Sequence, residues 1–460
     1  MSQTNKQPKD CFEIGGEDLL ASAPTKSVED SAAAKGTTHQ PLPPEALDDI
    51  RVRVGTLLKT ETVSFLLGAG ASLDCGGPLI GTVPLVIEQD LLNKGITGNQ
   101  KPRIRRWLAV FYVAVRHCTG NTNTPITRDE IIARREEILK GAQVEKLLAN
   151  FEQVLATLHR WRAALPEKGG RLRIDGSPPL DVKPDELDKC IYNATHALAR
   201  ACQLPTTGRE AGLSTHKTFI RKVLTRPLNL KRVNVFTLNY DTLVEQAADA
   251  EGIVLLDGFV GTQRRIFRPE SYEQDLYFPA ETTEGRVHRF DRVLHLYKLH
   301  GSITWTATEP SIDNPYGVEV GVFDPGGEQP VLIYPTPAKY GEMLGLPYSE
   351  LFRRFAAAIV RPQSVLFVIG YGFGDEHVNA IIRQALAVPS FTLVIVDPEP
   401  KSDFVNILRE QKDRRVWVAA GPRLGMFEKF VDLVLPDLRD EKIRQEVLET
   451  HRKLTNRSTV

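Results

Sequence analysis

Val63-Ser64-Phe65-Leu66-Leu67-Gly68-Ala69-Gly70-Ala71-Ser72 holds the strongest fold signal in the chain. The run from Val63 to Leu67 is short, mostly apolar and stops at a glycine, which predicts a buried strand opening into a tight turn. Glycines at 68 and 70 let backbone amides approach a phosphate, and a helix start beyond them would add partial positive charge. Two familiar phosphate loops do not fit. A dinucleotide fingerprint needs glycine at 73, where Leu73 stands, and no Gly-Lys-Ser/Thr triplet follows. Taken alone, the stretch reads equally well as a tight turn.

Further short apolar runs follow downstream, at 233–238, 295–299, 331–334, 365–369, 392–396 and 416–419. Helical signals fill two of the gaps, DTLVEQAADAEG from 241 and DEHVNAIIRQALA from 375. Strand, glycine turn and helix in repeated order imply βαβ units and a mainly parallel sheet, hence an α/β fold. Such sheets bind ligands at the carboxyl ends of their strands.

Four further groups stand at such strand ends. Thr237-Leu238-Asn239-Tyr240-Asp241 places an amide and a carboxylate there, and Asp241 also sits where a cap for the following helix belongs. Leu299-His300-Gly301-Ser302 places a histidine at a strand-to-glycine transition; His titrates near neutrality and can act as a base. Gly370-Tyr371-Gly372-Phe373-Gly374-Asp375 repeats the close-approach pattern, with Asp375 reading equally as a helix cap. Asp397 ends the 392–396 run, a common place for an acid that grips ribose hydroxyls.

Outside these runs the texture differs. Residues 1–48 carry no apolar period and read as a flexible lead-in. Residues 89–228 read as a helical insertion, with ITRDEIIARREEILK (126–140) and an apolar stripe from Val144 to Leu158. The sheet domain is then expected over 49–88 and 229–400. Residues 401–460 form a C-terminal extension whose Met426, Phe427, Phe430, Val431, Leu433 and Val434 complete or flank the core.

Composition bounds the function. The chain has 460 residues with 58 Lys+Arg against 58 Asp+Glu, a balance that argues against coating nucleic acid or an anionic membrane by bulk charge. Local basic runs remain, at Lys101–Arg106 and at Arg221, Lys222, Arg226, Lys231 and Arg232; these usually mark solvated faces, and the nucleic-acid alternative rests on them. No run approaches the length of a membrane span, and Met1–Gly16 lacks an apolar signal core, so a cytoplasmic protein is expected. Cys11, Cys75, Cys118, Cys190 and Cys202 include no C-x-x-C pair, so neither a disulfide framework nor a paired-cysteine zinc site is expected.

In this order the motifs resemble the sirtuin family, and more closely the zinc-free sirtuin-like domains of bacterial anti-phage defence systems. The resemblance covers about 60–90 and 230–400. It implies a Rossmann-type sheet with a large helical insertion. Gly68, Ala69, Gly70 and Ser72 match the family's phosphate loop, Asn239 and Asp241 its T-x-N-x-D element, and His300 its catalytic histidine. Gly370 and Tyr371 stand where sirtuins place an adenosine-side glycine loop, with Asp397 near the last adenine-side strand. Two departures matter. The four zinc cysteines of deacylating sirtuins are missing, and Gly76-Gly77-Pro78-Leu79-Ile80 stands where those enzymes carry an arginine segment. The resemblance therefore implies an NAD+ glycohydrolase, with NAD+ as substrate and no metal. It also implies control by homo-oligomerisation or by a companion ATPase, an Argonaute-like protein or a phage-derived activator. An NAD-dependent deacylase is the alternative.

Overall fold

Thr62–Leu67 is buried along its whole length. Val63, Phe65 and Leu67 enter one apolar cluster and Leu66 another, the period-two alternation of a strand covered on both faces. In the computed structural model this strand lies at the centre of a nine-stranded sheet. The structure describes residues 9–21, 42–79, 81–98, 102–140, 147, 151–166, 169–174, 180–278, 288–322, 324, 330–332, 345–440, 445–447 and 449–450.

Numbered in chain order, the sheet's strands are β1 (Cys11–Ile14), β2 (Glu17–Asp18), β3 (Thr62–Leu67), β4 (Asn234–Thr237), β5 (Val254–Leu256), β6 (Val293–Lys298), β7 (Ser364–Ile369), β8 (Phe391–Val396) and β9 (Val416–Ala420). Their spatial order is β2-β1-β9-β8-β7-β3-β4-β6-β5. All pairs from β9 to β5 are parallel, and β1 runs antiparallel to both of its neighbours. The mixed α/β fold with a mainly parallel sheet is thus as expected.

Helices cover both faces. Pro44–Leu57, Leu213–Val223, Leu243–Glu251 and Phe427–Leu433 lie on the face of Phe65, where Phe65 stacks on Phe367 at 4.8 Å and meets Phe219 edge-on at 5.0 Å. Tyr348–Ile359, Glu376–Leu386 and Asp403–Glu410 lie on the other face. Asp375 and Ser402 cap the last two by accepting from His377 N–H and Val405 N–H. A third apolar cluster gathers Ile87, Trp107, Phe111, Leu155, Leu187 and Leu198 from the helices between Val83 and Ala201. Within it the buried Arg134 pairs with the buried Glu88 at 2.9 Å.

The structure departs from the sequence reading in four places. Residues 11–14 are a sheet strand rather than flexible lead-in. Phe12 is fully buried, and Asp10 accepts from Arg423 Nε at 2.7 Å and Arg423 N–H at 2.8 Å, contacts that no local pattern announces. Residues 44–57 are helical, with Pro44 at the first turn where its missing N–H costs nothing. The strand expected at 331–334 is Pro330–Leu332, in a separate five-stranded antiparallel sheet with Gly301–Ala307, Val318–Val320, Arg265–Phe267 and Phe259–Val260; residues 333–334 lie outside the described residues. Finally, much of the second basic run is internal. Arg226 donates to the carbonyls of Leu58, Thr60 and Lys231, Lys222 to those of Val431 and Leu435, and Arg232 to Asp275. Those cations cap backbone and pair with a carboxylate, so the nucleic-acid reading loses much of its surface. Among the described residues no helix is long and apolar enough to cross a membrane.

Candidate functional site

The registers bring the sequence motifs together. Lys298, Thr237, Leu67, Ile369 and Val396 are successive partners across β6, β4, β3, β7 and β8. These strands therefore end in one row, about 19 Å long at the usual spacing of neighbouring strands. The residues just beyond the row are His300, Asn239, Gly68, Gly370 and Asp397. The chain builds β4 and β6 on one side of β3 and then returns to build β7, β8 and β9 on the other. The topological switch point lies between β3 and β7, where open α/β sheets form their ligand crevice.

Ser72 is the hub of the central loop. Its buried hydroxyl donates to Asp241 Oδ2 at 2.7 Å and accepts from Asn239 Nδ2 at 3.0 Å. Asn239 Nδ2 also donates to Gly68 O at 2.9 Å. Both amide hydrogens are then spent on the loop, and the amide orientation is fixed with Oδ1 as the end these bonds do not use. The cap position of the helix Leu243–Glu251 is Thr242 rather than Asp241; Asp241, one residue earlier, accepts from Leu243 N–H at 3.1 Å through Oδ1 and holds Ser72 through Oδ2. Buried Lys298 donates to Asp241 O and to Glu245 Oε1 at 2.8 Å, tying the strand that carries His300 to the turn that carries Asn239. Burial raises the Glu245 carboxyl, and the Lys298 ammonium opposes that rise.

The glycines bring two loops into backbone contact. Gly68 donates its N–H to Ile369 O, Gly70 to Gly370 O and Ala71 to Gly68 O. A Cβ on Gly68 would stand 2.6 Å from Gly370 O, and one on Gly70 would stand 2.7 Å from Gly370 Cα. Gly370 adopts φ +64°. The two glycine loops are thus packed backbone to backbone, and lack of side chains permits that contact. Ala69 opens the 3₁₀ turn Ala69–Cys75. Gly372 and Gly374, by contrast, have open space where a Cβ would project.

His300 is almost fully buried, and its Nε2 lies 3.2 Å from Asp375 Oδ2. Asp375 thereby caps the helix Glu376–Leu386 through one oxygen and faces the histidine with the other. From sequence alone, Asp375 in GYGFGDEH reads as a cap or loop residue; its pairing with His300 appears only in the fold. Gly301 at φ +86° turns the chain from β6 into the antiparallel sheet, leaving His300 at the junction. The Tyr240 ring stands 6.4 Å from the His300 ring.

Tyr371 is buried, and its hydroxyl accepts from Asp375 N–H at 2.9 Å and lies 3.2 Å from Asn379 Oδ1. Burial pushes that hydroxyl up, so it stays a neutral brace of the 370–375 loop. Asp397 accepts from Glu399 N–H at 2.8 Å, and burial raises its carboxyl above the usual range. Cys75 and Cys202 lie close enough to Asp241 to feel its charge, yet burial chiefly pushes both thiols up to about 12. Among the described residues no group of three or more His, Cys, Asp or Glu side chains is placed to hold a metal ion.

Residues 233–420 match the family model of the SIR2-like domain. No curated protein matches the chain. Among solved structures, a complex of a Sir2 homolog with NAD is 12% identical, with 86% of this chain and 94% of that chain covered and a TM-score of 0.36. A mutant Sir2 homologue in complex with ADP ribose is also 12% identical, with coverage of 86% and 96% and a TM-score of 0.33.

Proposed function

We propose that this chain is an NAD+ glycohydrolase that releases nicotinamide and leaves ADP-ribose. One observation carries the reading: an oriented amide and a carboxylate-paired histidine project from adjacent strand ends beside the switch point of a parallel sheet. The pyridinium of NAD+ is already cationic, so its departure needs no proton. The C1′–N bond breaks and its electron pair goes to nicotinamide, which leaves neutral. A bond from C1′ to a water oxygen forms, and the water's proton passes to His300 and then to solvent. Displacement at a sugar carbon with oxocarbenium character needs the nucleophile held on the opposite face. Asn239 Oδ1 accepts from and orients that water or a ribose hydroxyl. His300 acts as base, and Asp375 holds its ring in place. Asp241 and Ser72 fix Asn239. The 68–72 loop, Gly370 and Tyr371 shape the floor for the pyrophosphate and adenosine side, and Asp397 grips ribose hydroxyls.

An unregulated NAD+ hydrolase would exhaust its own cell, so the activity requires control. The reading places the protein in the bacterial cytoplasm, in anti-phage defence by NAD+ depletion, held in check by self-assembly or a companion protein. Incubation with NAD+, alone and with the neighbouring gene product, should release nicotinamide in water. Asn239→Ala and His300→Ala should abolish release while the proteins stay folded; full turnover in both variants overturns the assignment. Release that depends on an acyl-lysine peptide would make the protein a deacylase instead.

A further inference from the structure

The helical unit between Val83 and Ala201 is joined to the sheet at the site itself. The chain leaves β3 through Ala69–Cys75, passes Gly76 and Gly77, and enters the helices. On its return, residues 204–212 press back on the same loop. Thr206 N–H donates to Cys75 O at 2.9 Å. A Cβ on Gly76 would stand 2.1 Å from Thr206 Oγ1, and one on Gly212 would stand 2.4 Å from Asp74 O. Gln246, on the helix after Asp241, donates to Leu204 O at 2.8 Å. The exit and the return of the helical unit are therefore clasped around the Ser72 loop.

Tyr240 makes the second link. It lies between Asn239 and Asp241, the two residues that hold Ser72, yet its side chain packs against the apolar cluster of the helical unit. Its carbonyl accepts from Ile303 N–H at 3.0 Å, just beyond His300. Tyr240 thus touches the helical cluster, the Asn239 turn and the start of the antiparallel sheet. A residue whose only task was to fill the helical core would not need to stand between two site residues.

We infer that Tyr240 is a positioning residue through which the helical unit sets the geometry of the site, so that whatever binds or loosens those helices is read as a change in turnover. The kinetic part rests on the NAD+ reading; the structural part does not. Tyr240→Phe keeps the ring, Tyr240→Leu keeps part of the apolar contact, and Tyr240→Ala removes it. Turnover should be retained in the first and fall stepwise in the others, by about tenfold or more in the last, with KM within a few-fold of wild type, because displacement of oriented groups costs rate more than binding. Amide hydrogen exchange should quicken together in 68–77, 237–243 and 184–201 in the Leu and Ala variants. If Tyr240→Ala does not fold, Tyr240→Leu carries the comparison. Unchanged turnover, or faster exchange confined to 184–201, overturns the inference. If wild-type protein releases no nicotinamide, the NAD+ reading fails, and the exchange pattern alone then decides for or against the coupling.

Discussion

At the scale of single residues, the site is a set of side chains that each hold another. Ser72 was legible as part of a phosphate loop, but its hydroxyl is committed to Asn239 and Asp241, so its first task is to position them. Ser72→Ala should leave a buried Asp241 carboxylate oxygen without its partner, at about 1–3 kcal/mol, and free a partly buried Asn239 amide hydrogen. Nicotinamide release should fall well beyond what that loss of stability explains; a variant with normal turnover would show that Ser72 only packs. Asp375 offers a cleaner separation. Asn is as good a helix cap as Asp, so Asp375→Asn should leave the melting temperature nearly unchanged. The carboxylate facing His300 is lost, and turnover should drop by about a hundredfold or more. Equal losses of melting temperature and turnover would reduce Asp375 to a cap. Asn239, Asp241 and His300 could be read from sequence because strand ends announce them. The His300–Asp375 pair could not, since its partners follow strands that are separated in the sheet by β3 and β4.

At the scale of elements, legibility follows burial. The strands β3, β4, β6, β7, β8 and β9 were visible because a strand covered on both faces must be largely apolar. β1 was invisible because a four-residue strand with one fully buried side chain, Phe12, carries no period. The antiparallel sheet was missed because four of its five strands are only two or three residues long. The glycine loops stand where the sequence marks them, and there they touch backbone to backbone. Gly370→Ala should be severe: it places a side chain at φ +64° and a Cβ 2.6 Å from Gly70 Cα, and the two loops must part. A loss of about 2 kcal/mol or more is expected, with reduced turnover as Gly68 and Ser72 shift. Gly374→Ala faces open space and should change stability by no more than about 0.5 kcal/mol. Similar urea midpoints for the two variants would mean that the loops are not packed on each other.

At the scale of the whole molecule, the large apolar clusters must pack around histidines that stay neutral. His216 lies on the helix Leu213–Val223, edge-on to Phe427 at 5.1 Å, and its Nδ1 is buried without a hydrogen-bond partner. Burial depresses it from 6.5 to about 4, and the nearby Asp241 opposes that shift. His295 on β6 lies among Tyr272, Tyr297, Asp275, Arg232, Glu273 and Arg354; burial takes it to about 4 as well. Both folded values lie below the unfolded one, so below pH 6.5 the unfolded chain binds protons that the folded chain refuses. Stability from these two groups is full above pH 6.5 and is lost as pH falls toward 4, at about 1 kcal/mol per pH unit for each histidine. The urea midpoint should therefore fall between pH 7 and pH 5, before most carboxylates titrate. His216→Leu, an apolar replacement in an apolar site, should remove about half of that slope. A midpoint flat from pH 7 to 5 in the wild type would mean that both rings are solvated or paired. A slope unchanged in His216→Leu would place the proton uptake elsewhere. Because His216 is close enough to Asp241 to feel its charge, protonation that loosens this layer should also disturb the carboxylate holding Ser72. Turnover should therefore decline in step with the midpoint in the wild type, and over a narrower range in His216→Leu.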